Sequence, residues 1–257
     1  MKHKFPIYRP YFLVFFGVLM VPFSSCKKQK DSEPDGPAEF STPGEGVVHG
    51  GYTYATVVLG NEQEWMAENL RSGVFANGDT IPYITGATEW QMQWISGNAA
   101  STHYLNDATF ENPYGRLYSW YAVTDPRNIC PTGWHVPSNA DWDTLIHFLD
   151  SAHVSGVLGD ESLTAGGKMK TTGIQYWAEP NGGATNESGF SGLPGGMRFD
   201  TPLWNPFSYM GSNGLWWSSD ENLPGTAWAR ILNYYDGSVT RVDHAKGEGI
   251  SVRCVKN

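Results

Sequence analysis

The side chains able to do chemistry are spread thinly along this sequence. His135, His147, His153 and His244 are separated by stretches that match no metal-protease pattern and no spacing that would orient a nucleophile. Cys130 and Cys254 lack the paired spacing of a structural zinc site. The adjacent carboxylates Asp220 and Glu221 could do glycosidase chemistry only if folding set two such groups on opposite sides of a sugar. With Asp236 they are also oxygen donors near expected loops; solvated loop acids are the better reading, and no calcium site is assigned. Gly195-Gly196 lacks the strand, helix and lysine of a phosphate loop. What the chain has in abundance is indole. It carries eleven tryptophans, whose flat faces stack on sugars or pack against protein partners. Most of them should be core. Trp216 and Trp217, neighbours on an expected strand, should point to opposite faces, with one buried and the other open to a ligand. Trp90 and Trp94, at helical spacing between Gly86 and Gly97, are the second candidate exposed pair.

The segments that must position these residues are marked out by composition. Lys2, Lys4 and Arg9 precede an apolar run at 12–23, the layout of a secretory signal. The run falls short of the roughly 20 apolar residues a membrane span needs, and Pro22 would stop a helix there. Residues 1–25 are therefore expected to be cleaved. Ser24 and Ser25 before Cys26 resemble the lipobox of bacterial lipoproteins, with Phe23 where leucine is more usual, so Cys26 is the expected lipidation site. Residues 26–46 are too polar and too rich in proline and glycine to fold, and read as a tether. Residues 47–257 are then one domain, long enough to bury a real core. Loss of Lys2, Lys4 and Arg9 would take the net charge from −9 to −12, which argues against nucleic acid as a partner. With Cys26 assigned to lipid, Cys130 and Cys254 are an even pair in an exported chain, and one disulfide is expected. Its long loop would contribute about 4–5 kcal/mol in the chain-entropy picture.

Within the domain, β-branched and aromatic residues at 52–59, then Gly60-Asn61, then Glu64-Trp65-Met66, predict a hairpin. The stretch 105–123 mixes turn residues and aromatics without a clean period. The clearest helix is expected at about 139–150. Ser138 can cap it, Asp141 completes a capping box, and Trp142, Leu145, Ile146 and Leu149 share one face. Trp142 reads as a core anchor and His147 as a solvated residue on another face. Beyond the helix, glycines and aromatics suit short strands and long loops, with the last strands at about 227–234, 238–243 and 249–255.

Several blocks carry a resemblance. They are 130–138 (CPTGWHVPS) with Asp141-Trp142, then 63–70 (QEWMAENL), 189–196 (GFSGLPGG), 216–219 (WWSS) and 251–255 (SVRCV). In chain order these blocks resemble the Fibrobacter succinogenes major paralogous domain family, found in many bacterial lipoproteins. The stretches 134–142 and 249–253 are also similar to the helix start and closing strand of the formylglycine-generating enzyme family. That second resemblance implies an α+β, C-type-lectin-like fold in which the two ends of the domain meet in one sheet, and a helix-proximal cysteine is tied to the last strand, as Cys130 and Cys254 would be. Those enzymes use two reactive cysteines late in the chain, whereas Cys254 is the only late cysteine here. The expectation is a non-catalytic binding domain for carbohydrate, without cofactor. It would be displayed by lipid on the outer membrane, facing the periplasm or the cell exterior. The alternative is an adhesion or structural surface protein that binds a protein partner.

Overall fold

The computed structural model describes residues 40–202 and 205–257. The expected signal peptide, Cys26 and most of the tether lie outside the described residues, as does Trp204. The described residues belong to one contact unit.

The sheet begins earlier than the tether reading allowed. β1 (Ser41–Pro43) pairs antiparallel with β4 (Thr56–Leu59), and Phe40 packs edge-on against Phe148 at 5.9 Å. Between them, Gly50 and Gly51, both at positive φ, reverse the chain from β2 (Val47–His49) to β3 (Tyr52–Tyr54). The predicted hairpin at Gly60-Asn61 is present: β4 pairs with β5 (Glu64–Met66), Val57 opposite Trp65. The middle of the chain supplies α1 (Ala87–Ile95), the single turns α2 (Glu111–Tyr114) and α3 (Trp120–Val123), and the short strands β6 (Ser101–Thr102), β7 (Leu117–Tyr118) and β8 (Trp134–His135). There follow α4 (Asn139–Leu149), β9 (Gly159–Ser162), α5 (Ala165–Met169) and the hairpin of β10 (Gly195–Arg198) with β11 (Phe207–Met210). A meander of β12 (Asn213–Leu223), β13 (Thr226–Asn233) and β14 (Val239–Ala245) leads to β15 (Val255–Lys256).

The architecture is α+β with mostly antiparallel sheets. One has the order β1-β4-β5-β15-β8, so the final strand lies between one strand from early in the domain and one from its middle. The other has the order β12-β13-β14-β9. Helix α4 forms where its sequence predicts. Ser138 Oγ accepts from the Asp141 amide at 3.2 Å and Asp141 Oδ2 accepts from the Ser138 amide at 2.8 Å, the reciprocal pair of a capping box. Its stripe of Trp142, Leu145, Ile146 and Leu149 is buried, and Trp142 meets Trp65 at 5.0 Å. The segment at 249–255 departs from the continuous strand expected of it. Gly249, Ile250 and Ser251 bridge three different neighbours, Arg198, Tyr118 and Trp216. Residues 250–255 are buried on all sides, so their backbone groups pair with whichever segment packs there.

Both faces of the four-stranded sheet are covered. Trp217 and Leu215, with Ala229 and Ala227, enter one core, which also holds Tyr118 and the Cys130–Cys254 disulfide. Trp216 and Leu232 enter the other, with Trp65, Trp142 and Phe190. In this second core Asn69 Oδ1 accepts from Trp216 Nε1 at 2.8 Å and from Arg253 Nη2 at 2.7 Å, and the Arg253 guanidinium stacks over Phe190 at 3.9 Å. Asn69→Ala would leave two buried donors without an acceptor, at about 1–3 kcal/mol each. Urea unfolding should therefore show a loss of about 2–6 kcal/mol, against about 1 kcal/mol for Ser138→Ala at the cap of α4.

Candidate functional site

The cysteine expectation holds: Cys130 and Cys254 form a disulfide across 124 residues. Cys26 lies outside the described residues. The expectation of exposed tryptophans does not hold. Trp216 and Trp217 do point to opposite faces, but each face carries a core, so both are fully buried. Trp217 Nε1 donates to the Tyr118 carbonyl at 2.8 Å. Trp90 is also buried. Its Nε1 donates to the Gly247 carbonyl at 2.7 Å and its ring lies 4.5 Å from the Arg198 guanidinium. Trp94 is half-buried, packs against Gly247 and donates to the Asp200 carbonyl at 3.1 Å. Trp216, Trp217 and Trp90 are therefore core residues and offer no ring to a ligand, because their indole N–H groups and both ring faces are taken up by the protein.

The loop acids are engaged separately. Asp220 accepts from the Asn139 amide at 2.6 Å, Glu221 pairs with Lys246 at 2.6 Å, and Asp236 accepts from Asn233 and from the Ser238 amide. His135 contacts Asp141 at 3.2 Å, and His244 contacts Glu248 at 2.6 Å.

Folding does bring two of the scattered histidines together. The outer face of α4 presents Asp143 and, one turn later, His147; the loop after the helix returns His153 and Ser155 to the same place. With Asn61 from the β4–β5 turn they line an open cleft of about 560 Å³. The His147 and His153 rings are 6.0 Å apart. Asp143 Oδ2 accepts from Ser155 Oγ, while Asp143 Oδ1 and His153 Nε2, 3.5 Å apart, are buried and make no hydrogen bond. Beneath them lies a buried ion pair. Arg230 of β13 donates to both carboxylate oxygens of Glu161 on β9, at 2.6 and 3.1 Å, and its Nη2 approaches Asp143 Oδ1 at 3.5 Å. Burial pushes the Glu161 carboxyl above its ordinary value, against the pull of the Arg230 charge. An Asp143–His147 spacing of one helical turn is visible in sequence; the return of His153 and the approach of Glu161 are not.

A second, smaller cleft of about 250 Å³ lies between β11 and the strands β12, β13 and β14. Tyr209, Asn213, half-buried Ile231 and His244 line it, with buried Leu215 behind them. Tyr209 is 47% exposed and held at φ 68°, a left-handed conformation uncommon for a bulky residue and found where a side chain is aimed by its surroundings. Nothing local to Tyr209 in the sequence marks this cleft, whose other residues come from three strands.

These features describe a disulfide-bonded α+β domain with antiparallel sheets, filled cores and shallow surface clefts. The chain matches the Fibrobacter succinogenes major domain family over residues 58–256, and it belongs to that family. No curated protein and no solved structure matches it.

The ion pair beneath the α4 cleft supports a direct test. Glu161→Gln would leave the Arg230 guanidinium buried beside a neutral amide and should destabilise the domain by about 3–5 kcal/mol. Replacing both residues together, Glu161→Leu with Arg230→Met, should recover most of that loss in urea unfolding.

Proposed function

We propose that this chain is an exported lipoprotein whose domain is a non-catalytic, C-type-lectin-like binding module for carbohydrate. The observation that carries the ligand class is the Tyr209 cleft. An exposed aromatic ring stands beside half-buried Ile231, with the amide of Asn213 and the imidazole of His244 lining the same cleft. Sugars present the complementary surface, an apolar C–H face bordered by hydroxyls. The C-type-lectin-like assignment is supported by β15 lying between β5 and β8 and by the Cys130–Cys254 bridge to the chain's last segment. The non-catalytic reading is supported by the same bridge, since Cys254 in a disulfide is not a free thiolate. Export and lipidation rest on residues 1–26, and placement on the outer membrane rests on the family resemblance.

The alternative, an adhesion or structural protein with a protein partner, is favoured by α1, where Met92 and Ile95 are exposed beside half-buried Trp94.

Titration of the chain with plant, host and bacterial polysaccharides, with and without calcium, should give saturable binding. Tyr209→Ala, which removes an exposed ring without opening a core, should weaken that binding about tenfold or more, the scale of a lost stacking contact. Binding to no glycan would turn the function to a protein partner on the α1 face. Cys26→Ser should release the protein from the membrane fraction of expressing cells and block incorporation of labelled palmitate.

A further inference from the structure

The α4 cleft holds a set of donor atoms that the carbohydrate reading does not use. Asp143, His153 and Glu161 each offer one ligand atom, and those atoms all lie within 4.8 Å of one another. The imidazole of His153 is 4% exposed and its Nε2 has no hydrogen-bond partner; the same is true of Asp143 Oδ1, 3.5 Å away. That separation is long for a hydrogen bond. It matches the edge, about 3.4 Å, of a tetrahedron whose corners lie roughly 2.1 Å from a central metal ion. The orphaned atoms are thus spaced as two ligands of one cation.

We infer that this cluster is a binding site for a divalent transition-metal ion of the zinc type, with His153 Nε2, Asp143 Oδ1 and a Glu161 carboxylate oxygen as ligands. One imidazole with two carboxylates suits zinc, cobalt or nickel better than calcium, which takes six or more oxygens. The Glu161 oxygens keep lone pairs beyond those that Arg230 occupies, and the bidentate contact with Arg230 fixes the orientation of that carboxylate. Arg230 also sets the strength of the site. Its positive charge, 3.5 Å from Asp143 Oδ1, opposes a second cation, so binding is weaker than in a closed thiolate site and is readily exchanged. The fourth position faces the cleft, where His147 stands with its ring 6.0 Å from that of His153. Two imidazoles on one tetrahedral ion have ring centres about 5 Å apart; a change of rotamer at exposed His147 closes the remaining distance.

The site is tested with zinc chloride added to the full chain carrying Cys26→Ser, so that no free thiol competes. Calorimetry should show one zinc site per chain, and cobalt should give the visible absorption of a tetrahedral ion. His153→Gln and Asp143→Asn should each weaken binding by about tenfold or more, while His135→Gln, which alters a separate histidine–aspartate contact, should leave it unchanged. Because a ligand variant can fail to fold, imidazole NMR of the chain bearing only Cys26→Ser provides a second reading: zinc should shift the His153 resonances first. Absence of saturable zinc binding, zinc binding that follows His135, or an unperturbed His153 would each overturn the assignment. Binding of glycan through Tyr209 is independent of every one of these outcomes.

Discussion

The domain is organised around a buried cation. Arg253 is fully buried, and among the described residues no carboxylate lies within ion-pair distance of it. Burial pulls its guanidinium below the ordinary arginine range, yet an arginine keeps its proton in a protein, so the charge must be stabilised by what surrounds it. Two aromatic faces do so, Phe190 at 3.9 Å and Trp216 at 5.7 Å. Two neutral acceptors join them, Asn69 Oδ1 at 2.7 Å and the Phe190 carbonyl, while Arg253 Nε makes no hydrogen bond. A buried charge left without such partners is among the costliest defects a fold can carry. Segments around residues 69, 190, 216 and 253 must therefore arrive together, and the order of the rest of the chain follows from joining them.

This constraint explains why the sequence blocks that mark the family are poor guides to its site. Asn69, Phe190, Trp216, Arg253 and Trp142 all belong to those blocks, and all are core. Lys170 works in the same way outside them. Its Nζ donates to the carbonyls of Gly182, Asn233 and Asp236 at 2.8, 2.9 and 2.7 Å, holding loops that have no ladder of their own to satisfy their backbone groups. Polar and aromatic side chains that look functional in a list are here the means by which a loop-rich chain fills its interior.

What could be read from the sequence was local. The capping box and apolar stripe of α4, the Gly60-Asn61 hairpin, the strands β13 and β14 and the cysteine pair each depend on residues close together or on parity, and the structure has all of them. The alternation of Trp216 and Trp217 across a strand was also legible; that the second face of the sheet is roofed by another core was not, because nothing local to β12 records what packs above it. The same limit applies to 249–255, whose apolar alternation resembles a strand although its pairing partners come from five separate segments. The two clefts fall in this second category. His153 reaches Asp143 only because the loop after α4 turns back, and Tyr209 and His244 share a cleft only because strands distant in sequence are brought side by side.

The Arg230–Glu161 pair shows how core and surface are coupled in this fold. Replaced by apolar residues of similar volume, a buried ion pair often costs nothing in stability, so its presence calls for a reason beyond holding β9 to β13. Its geometry supplies one. Arg230 grips Glu161 with two donors, reaches Asn139 at the start of α4 with a third at 2.9 Å, and extends to within 3.5 Å of Asp143. A methionine and a leucine could fill the same space, but they would take away the positive charge beside Asp143 Oδ1, whose other oxygen is held by Ser155. The guanidinium instead fixes the helix start, the strand and the outward carboxylate relative to one another, and the unpartnered oxygen of Asp143 faces His153 as a result. Orientation of that cleft is what the pair provides, and it accounts for a charged layer beneath a surface lined by Asn61, Asp143, His147, His153 and Ser155.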